Sequence, residues 1–75
     1  MKLLFFGPLA DIAGKTDFDL SQVENTQQLK EVLVEKCPEL IRHSFLIAVN
    51  KKVQTENINL KKDDVVALLP PFSGG

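Results

Sequence analysis

The chain has 75 residues, enough for one domain near the lower size limit for folding without disulfides or metal ions. Hydrophobic residues make up 44% and charged residues 25%, which is typical of a globular protein, and a single cysteine excludes an internal disulfide framework. The formal net charge of −1 and the lack of an aromatic-studded basic stretch argue against a nucleic-acid partner.

Composition also indicates the cellular compartment of the protein. A lone cysteine suits the reducing cytosol, so we expect a cytoplasmic protein. One histidine and no Cys-x-x-Cys pair supply no recognisable metal-ligand spacing, and no cofactor is expected on this chain. The apolar start is interrupted at Gly7 and Pro8, too early for a signal peptide. No other apolar run approaches a membrane span, so no membrane partner is expected.

The first 20 residues predict a strand, a short helix and a second strand. Residues 2–6 form an apolar run of strand length. Pro8 suits the first turn of a helix, and Gly14 suits the C-terminal cap of the same helix. From residue 15 to residue 20 apolar and polar side chains alternate, and Phe18 is one of the apolar ones. This alternation predicts a half-buried strand near a sheet edge.

The middle of the chain predicts the principal helix. Asn25 or Thr26 can cap its start. Its apolar residues recur at helical spacing: Leu29, Val32 and Leu33. Pro38 ends the helix, because proline disfavours the helical conformation of the residue before it. Cys37 lies on the same apolar stripe, and we interpret it as a small core residue rather than a sulfur-relay thiol.

The second half predicts three strands. Residues 45–49 form an apolar run, Asn50 and Lys51 form a turn, and residues 52–53 begin a short return strand. Residues 65–69 form the last apolar run. His43, just before these strands, is interpreted as a solvated turn residue rather than a catalytic base.

The first and last strands are apolar on both faces, whereas the strands of a half-exposed antiparallel sheet alternate apolar and polar residues. One principal helix covers only one face, so the predicted fold class is α+β, a sheet with one helix packed on one face. The second apolar face is left for loops or for a partner, and in so small a chain we expect a partner. Its candidate contacts are Phe6, Leu60 and Leu69, although Leu60, in a loop, fits the core equally well.

Residues 70–75 are predicted to form an extended tail behind a domain of residues 1–69. Pro70 and Pro71 stop the last strand, because neither has a backbone N–H to donate, and they hold the chain extended. We expect the tail to reach about 20 Å beyond the sheet and to be inserted into a partner. Its candidate partner contacts are Pro70, Pro71, Phe72, Ser73 and Gly74, with Phe72 as an aromatic anchor. The alternative is a chain end without a function.

Three stretches carry a family resemblance: Leu-Phe-Phe-Gly-Pro-Leu-Ala-Asp-Ile-Ala-Gly near the start, Ile-Ala-Val-Asn in the middle, and Leu-Lys-Lys-Asp-Asp-Val-Val-Ala-Leu-Leu-Pro-Pro-Phe-Ser-Gly-Gly at the end. They resemble the small, sulfur-carrier subunit of molybdopterin synthase, a ubiquitin-like sulfur carrier. The resemblance implies a β-grasp fold with a mixed sheet, whose first and last strands lie parallel at the sheet centre; both strands here are apolar on two faces, as a central parallel pair should be. Ala10 stands where the family often has a basic residue, so a salt bridge to a partner from this loop is not implied.

The resemblance also implies a chemistry centred on Gly75. An ATP-dependent activating enzyme adenylates the Gly75 carboxylate, and sulfur then displaces AMP to give a thiocarboxylate. The charged tail enters the large catalytic subunit and gives its sulfur to cyclic pyranopterin monophosphate. The chain would thus be the sulfur-donating subunit and not a catalyst by itself. ATP would be used by the activating enzyme.

Two other classes of function remain open. The first is a related carrier for thiazole or tRNA thiolation, or a modifier that joins its glycine to lysines. The second is a β-grasp binding module with no chemistry at its tail.

Overall fold

The computed structural model describes residues 1–71. These residues form, in chain order, β1 (Lys2–Phe5), α1 (Pro8–Ala13), α2 (Thr26–Lys36), a 3₁₀ helix (Pro38–Arg42), β2 (Leu46–Val49), β3 (Lys52–Gln54) and β4 (Val65–Leu69). The strands make one mixed sheet in the order β1-β4-β2-β3. β1 runs parallel to β4, and β2 runs antiparallel to both β4 and β3. The first and last strands are therefore neighbours, as predicted.

The hairpin between β2 and β3 follows from its two turn residues. Asn50 and Lys51 both have positive φ, 51° and 73°, as a two-residue type I′ turn requires. Asparagine is one of the few residues with a side chain that tolerates this conformation. The turn places Val49 opposite Lys52, and thereby sets the register of the hairpin.

Helix α2 covers one face of the sheet. Asn25 is its N-cap, and the side-chain oxygen of Asn25 accepts a hydrogen bond from the Gln28 amide at 2.9 Å, which satisfies one of the free N–H groups of the first turn. Leu29 and Leu33 are completely buried. The helix ends at Lys36, two residues before Pro38. The predicted principal helix is confirmed in its limits and in the face that it buries.

The core lies between α2 and the sheet, where α1 and the 3₁₀ helix close its ends. Its fully buried large side chains are Leu9, Leu29, Leu33, Leu40, Val66 and Leu68. Each was apolar in the sequence and sits on the inner face of its element. The α+β fold class, with a mixed sheet and one principal helix on one face, is confirmed.

The strand predicted for residues 15–20 is wrong. This segment has no regular secondary structure. Its alternation is real, since Phe18 is half-buried between exposed Asp17 and Asp19, but it comes from side-chain packing. The ring of Phe18 lies 5.8 Å from that of Phe5 in β1, and a hollow of about 210 Å³ lies between the segment and β1. Apolar spacing alone does not distinguish a packed loop from a hydrogen-bonded strand.

A second correction follows from the first. The expectation that both the first and the last strand lie at the sheet centre holds only for β4, which lies between β1 and β2. β1 is an edge strand of the four-stranded sheet, because the segment at residues 15–20 does not pair with its outer side. β1 is apolar on both faces, and Phe18 packs against Phe5 on one of these faces.

Candidate functional site

The face of the sheet opposite α2 is apolar and uncovered in the described part of the chain. Successive side chains of β4 alternate between the faces, so Val66 and Leu68 point into the core while Val65, Ala67 and Leu69 point outward. The outward face holds a shallow depression of about 310 Å³. Its lining residues are Leu4, Phe6, Ala48, Lys51, Val53, Val65, Ala67 and Leu69. We call this surface the open face.

Phe6 and Leu69 lie together at one end of the open face. The parallel register pairs Phe5 with Leu68, which places Phe6 beside Leu69 one position further along. Phe6 is 46% exposed and Leu69 is half-buried. An exposed phenylalanine beside a leucine adds to an exposed apolar patch, and such patches mark interaction sites. Their role in partner binding stays a prediction, but the structure places both on one surface.

Leu60 does not belong to the open face, and its assignment to that face is wrong. It is 9% exposed and belongs to the core cluster, together with Val23. Leu60 also lines a hollow of about 460 Å³ with Met1 and Lys61. The amide of Leu60 donates to the Glu24 carbonyl at 2.8 Å, which holds the loop against the start of α2. Leu60 is therefore a core residue and not a contact of the open face.

Of the residues that line the open face, sequence reasoning named Phe6 and Leu69 as contacts, and Val53 and Lys51 are among those that it missed. Val53 is 47% exposed and stands opposite Ala48 in the β2–β3 pair. Lys51 alone among the described lining residues carries a charge. A signal for Val53 was available, because one apolar residue in a short return strand must face one side of the sheet or the other.

A network of polar hydrogen bonds lies at the end of the open face opposite to Phe6 and Leu69. The Asp64 carboxylate accepts from the Lys61 amide at 2.7 Å and from the Asn50 side chain at 2.9 Å. The bond from Lys61, followed by that from Asn50, holds the pKa of Asp64 below its ordinary value. Asn50 also pairs with Val65, accepting from its amide at 3.0 Å and donating to its carbonyl at 2.8 Å. The hairpin turn is thereby tied to the beginning of β4.

The tail leaves from the end where Phe6 and Leu69 lie. Pro70 is half-buried and Pro71 is exposed. A Cβ built on Gly7 would lie 3.2 Å from Cγ of Pro70, so the start of the tail rests close to the loop after β1. The predicted contacts Phe72, Ser73 and Gly74, and the predicted reactive residue Gly75, lie outside the described residues.

Neither Cys37 nor His43 lies at the open face. Cys37 is partly buried against the core, and its Sγ lies 3.6 Å from the Ile12 carbonyl oxygen, as the interpretation as a core residue expects. His43 is exposed after the 3₁₀ helix, as expected for a turn residue. Among residues 1–71, no three His, Cys, Asp or Glu side chains are grouped so that they could hold a metal ion. Within the same residues, no helix has the length and apolar character needed to cross a membrane.

The fold and the site together define the class of this protein. It is a small ubiquitin-like β-grasp domain with one uncovered apolar sheet face and a proline-led segment that leaves from one end of that face. The model of the ThiS family matches residues 3–75, which is nearly the whole sequence. The chain belongs to the ThiS family.

Two curated relatives align with the full length of the chain. The molybdopterin synthase sulfur carrier subunit of Arabidopsis thaliana is 30% identical over 79 residues, which cover 100% of this chain and 82% of the relative. The protein of the same name from Anopheles gambiae is 30% identical over 83 residues, which cover 100% of this chain and 91% of the relative. These similarities confirm the family resemblance read from the sequence.

Proposed function

We propose that this chain is the sulfur carrier subunit of a molybdopterin synthase. The observation that carries the proposal is the full-length similarity to two proteins of that name, with a family match that extends through the Gly-Gly at residue 75. The geometry supports it, because a carrier needs a stable domain, a docking surface and a segment that can enter another protein's active site. The core and the open face are suited to the first two tasks, and the sequence of residues 70–75 is suited to the third.

The reactive group in this proposal is the carboxylate of Gly75. A carboxylate oxygen is a poor leaving group, so an activating enzyme first transfers AMP from ATP to it and releases pyrophosphate. A sulfur nucleophile then attacks the carbonyl carbon and AMP departs with the C–O bond electrons, which leaves a thiocarboxylate. Neither step needs a side chain of the carrier. Glycine at residues 74 and 75 allows close approach of the backbone, where a Cβ would collide with the walls of a narrow site.

The open face is the proposed docking surface for both partners, the activating enzyme and the large catalytic subunit. It carries apolar residues without a cover among residues 1–71, and exposed apolar patches of this kind mark interaction sites. Phe6 and Leu69 lie at the end from which Pro70 and Pro71 leave. A partner that covers this face therefore receives the tail beside its own contact surface, and the thiocarboxylate then delivers sulfur to cyclic pyranopterin monophosphate there.

Intact-mass measurement of the protein isolated from cells tests the proposal. Replacement of one carboxylate oxygen by sulfur is the expected modification. An isopeptide conjugate to a lysine would indicate a protein modifier instead, and a wholly unmodified population would favour a passive binding module. Transfer of the sulfur to cyclic pyranopterin monophosphate by the reconstituted synthase separates the proposed carrier from one that serves thiazole or tRNA thiolation.

Removal of Gly74 and Gly75 provides the matched control. The shortened chain keeps every residue of the core, so its unfolding curve is expected to coincide with that of the full chain. It is expected to support no ATP–pyrophosphate exchange by the activating enzyme. Exchange at the normal rate with the shortened chain would contradict the assignment of Gly75.

A further inference from the structure

Gly7 and Pro70 meet where the parallel pair of β1 and β4 ends. Phe5 is paired with Leu68, so residues 7 and 70 stand opposite each other two positions further along. The Phe6 amide donates to the Leu68 carbonyl oxygen at 3.1 Å. In a parallel ladder the following donor would be the amide of residue 70. Proline has no N–H, so packing must orient the chain at this point.

The close approach between Gly7 and the Pro70 ring provides that packing. A Cβ on residue 7 would lie 3.2 Å from Cγ of Pro70 and 3.7 Å from its Cδ. The first distance is shorter than an ordinary van der Waals contact, so the proline ring would have to shift by a few tenths of an ångström. Gly7 also has φ 60° and ψ −143°, a conformation found almost only in glycine. Two independent features of the structure therefore require glycine at residue 7.

We propose that Gly7 is a positioning residue for sulfur loading: by letting the Pro70 ring rest against its Cα, it sets the direction in which the chain leaves the sheet. This inference rests on the proposed function, in which the tail must reach a buried active site. Two consecutive prolines each hold φ near about −65°, so a displacement at Pro70 is passed on to Pro71. A displacement of about 1 Å at a reacting group can cost on the order of a hundredfold in rate.

The test compares Gly7→Ala with the unmodified chain as substrates of a purified ATP-dependent activating enzyme that adenylates the unmodified chain. Pyrophosphate release gives kcat and KM. Residue 7 does not line the open face, so KM is expected to remain within about twofold, whereas kcat is expected to fall about tenfold or more because the carboxylate is misdirected. A role confined to folding would not separate kcat from KM in this way.

Val23→Ala is the matched control for stability. Val23 is a buried core residue and does not line the open face. Its truncation lowers the melting temperature without altering the exit of the tail, so kcat is expected to equal that of the unmodified chain. An equal loss of kcat in Val23→Ala would show that stability, and not direction, limits loading.

Removal of the proline ring tests the contact itself. Pro70→Ala alone is expected to lower kcat, since the ring no longer guides the tail; this variant does not depend on how residue 7 tolerates a Cβ. In a Pro70→Ala background, the effect of Gly7→Ala on kcat is expected to shrink, because the clash with the ring is gone and only the backbone strain at residue 7 remains. Normal kcat in Pro70→Ala, or an undiminished effect of Gly7→Ala without the ring, would overturn the inference. If none of the ATP-dependent activating enzymes tested adenylates the unmodified chain, the proposed function is refuted, and the inference with it.

Discussion

The two faces of β4 carry the same kind of residue in different surroundings. Val66 and Leu68 have no exposed surface, because α2 lies over them. Val65, the residue before them, is 37% exposed, and Leu69 is half-buried on the same open face. Apolar character alone therefore does not reveal whether a residue stabilises this fold or awaits a partner. The position of α2 decides which apolar residues are buried. Substitutions on the covered face are therefore expected to lower stability, and substitutions on the open face are expected to weaken partner binding.

The largest effect is expected from Leu68→Ala on the covered face. Leu68 is completely buried, so its truncation leaves a cavity and should lower the free energy of unfolding by about 2–5 kcal/mol. Leu69→Ala is the matched substitution on the open face and should cost about 1 kcal/mol or less, since part of the side chain already contacts water. Urea denaturation of both variants measures the difference. Equal losses would mean that the two faces contribute equally to stability.

Addition of one alanine after Gly75 changes the tail and leaves both faces intact. It moves the reactive carbon by about 3.5 Å and places a Cβ beside it. The extended protein should fold and dock on the large subunit normally, while adenylation falls on the order of a hundredfold. Intact mass after reaction with ATP and a sulfur donor reports the loading. Full loading would show that the position of the Gly75 carboxylate at the chain end has no role in the reaction.

Leu69→Glu introduces a charge on the open face. A buried charge in the docked complex is costly, so binding to the large subunit should weaken by about tenfold or more, with little change in the melting temperature. Ile41→Glu is the control, because Ile41 is 72% exposed on the 3₁₀ helix and does not line the open face. Calorimetric titration of both variants gives the affinities. Unfolding of Leu69→Glu, or equal weakening by Ile41→Glu, would argue against docking at this face.

A smaller effect is expected from Cys37→Ser, on the covered side. The residue is only partly buried, and the serine hydroxyl can donate to the Ile12 carbonyl that the thiol now approaches. The loss of unfolding free energy should be about 1 kcal/mol, and thiocarboxylate formation should be unchanged. A folded Cys37→Ser protein that accepts no sulfur would make Cys37 a participant in the chemistry.

The smallest effect concerns Asp64, where the turn is tied to β4. Because its folded pKa is lowered, its stabilising contribution is present above the ordinary carboxyl pKa of 3.8 and is lost as the pH falls through the lowered value. Asp64→Asn should therefore be less stable than the unmodified chain at neutral pH, and the two should converge in acid. Thermal unfolding between about pH 7 and about pH 2, which spans the titration of a carboxyl group, measures the difference in stability. A constant difference across that range would exclude the ionised carboxylate as the cause.

Local sequence determined much of this protein. Asn25 as a helix cap, the helical recurrence of Leu29 and Leu33, and the end of the last strand at Pro70 were all readable from the chain. Each of these depends on nearest neighbours, because capping, helical period and the missing proline N–H act within a few residues. The two faces of residues 65–69 were predicted for the same reason, since a strand has a period of two.

The tertiary structure decided which apolar residues meet. Phe18 alternates like a strand residue, but it packs on Phe5 without strand pairing, and β1 is consequently left at an edge. Leu60 enters the core because its loop bonds to Glu24, which is distant in sequence. Gly7 lies beside Pro70 only because β1 and β4 pair in the parallel register. Such contacts depend on elements that are brought together from far apart in the chain, and no local periodicity carries that information.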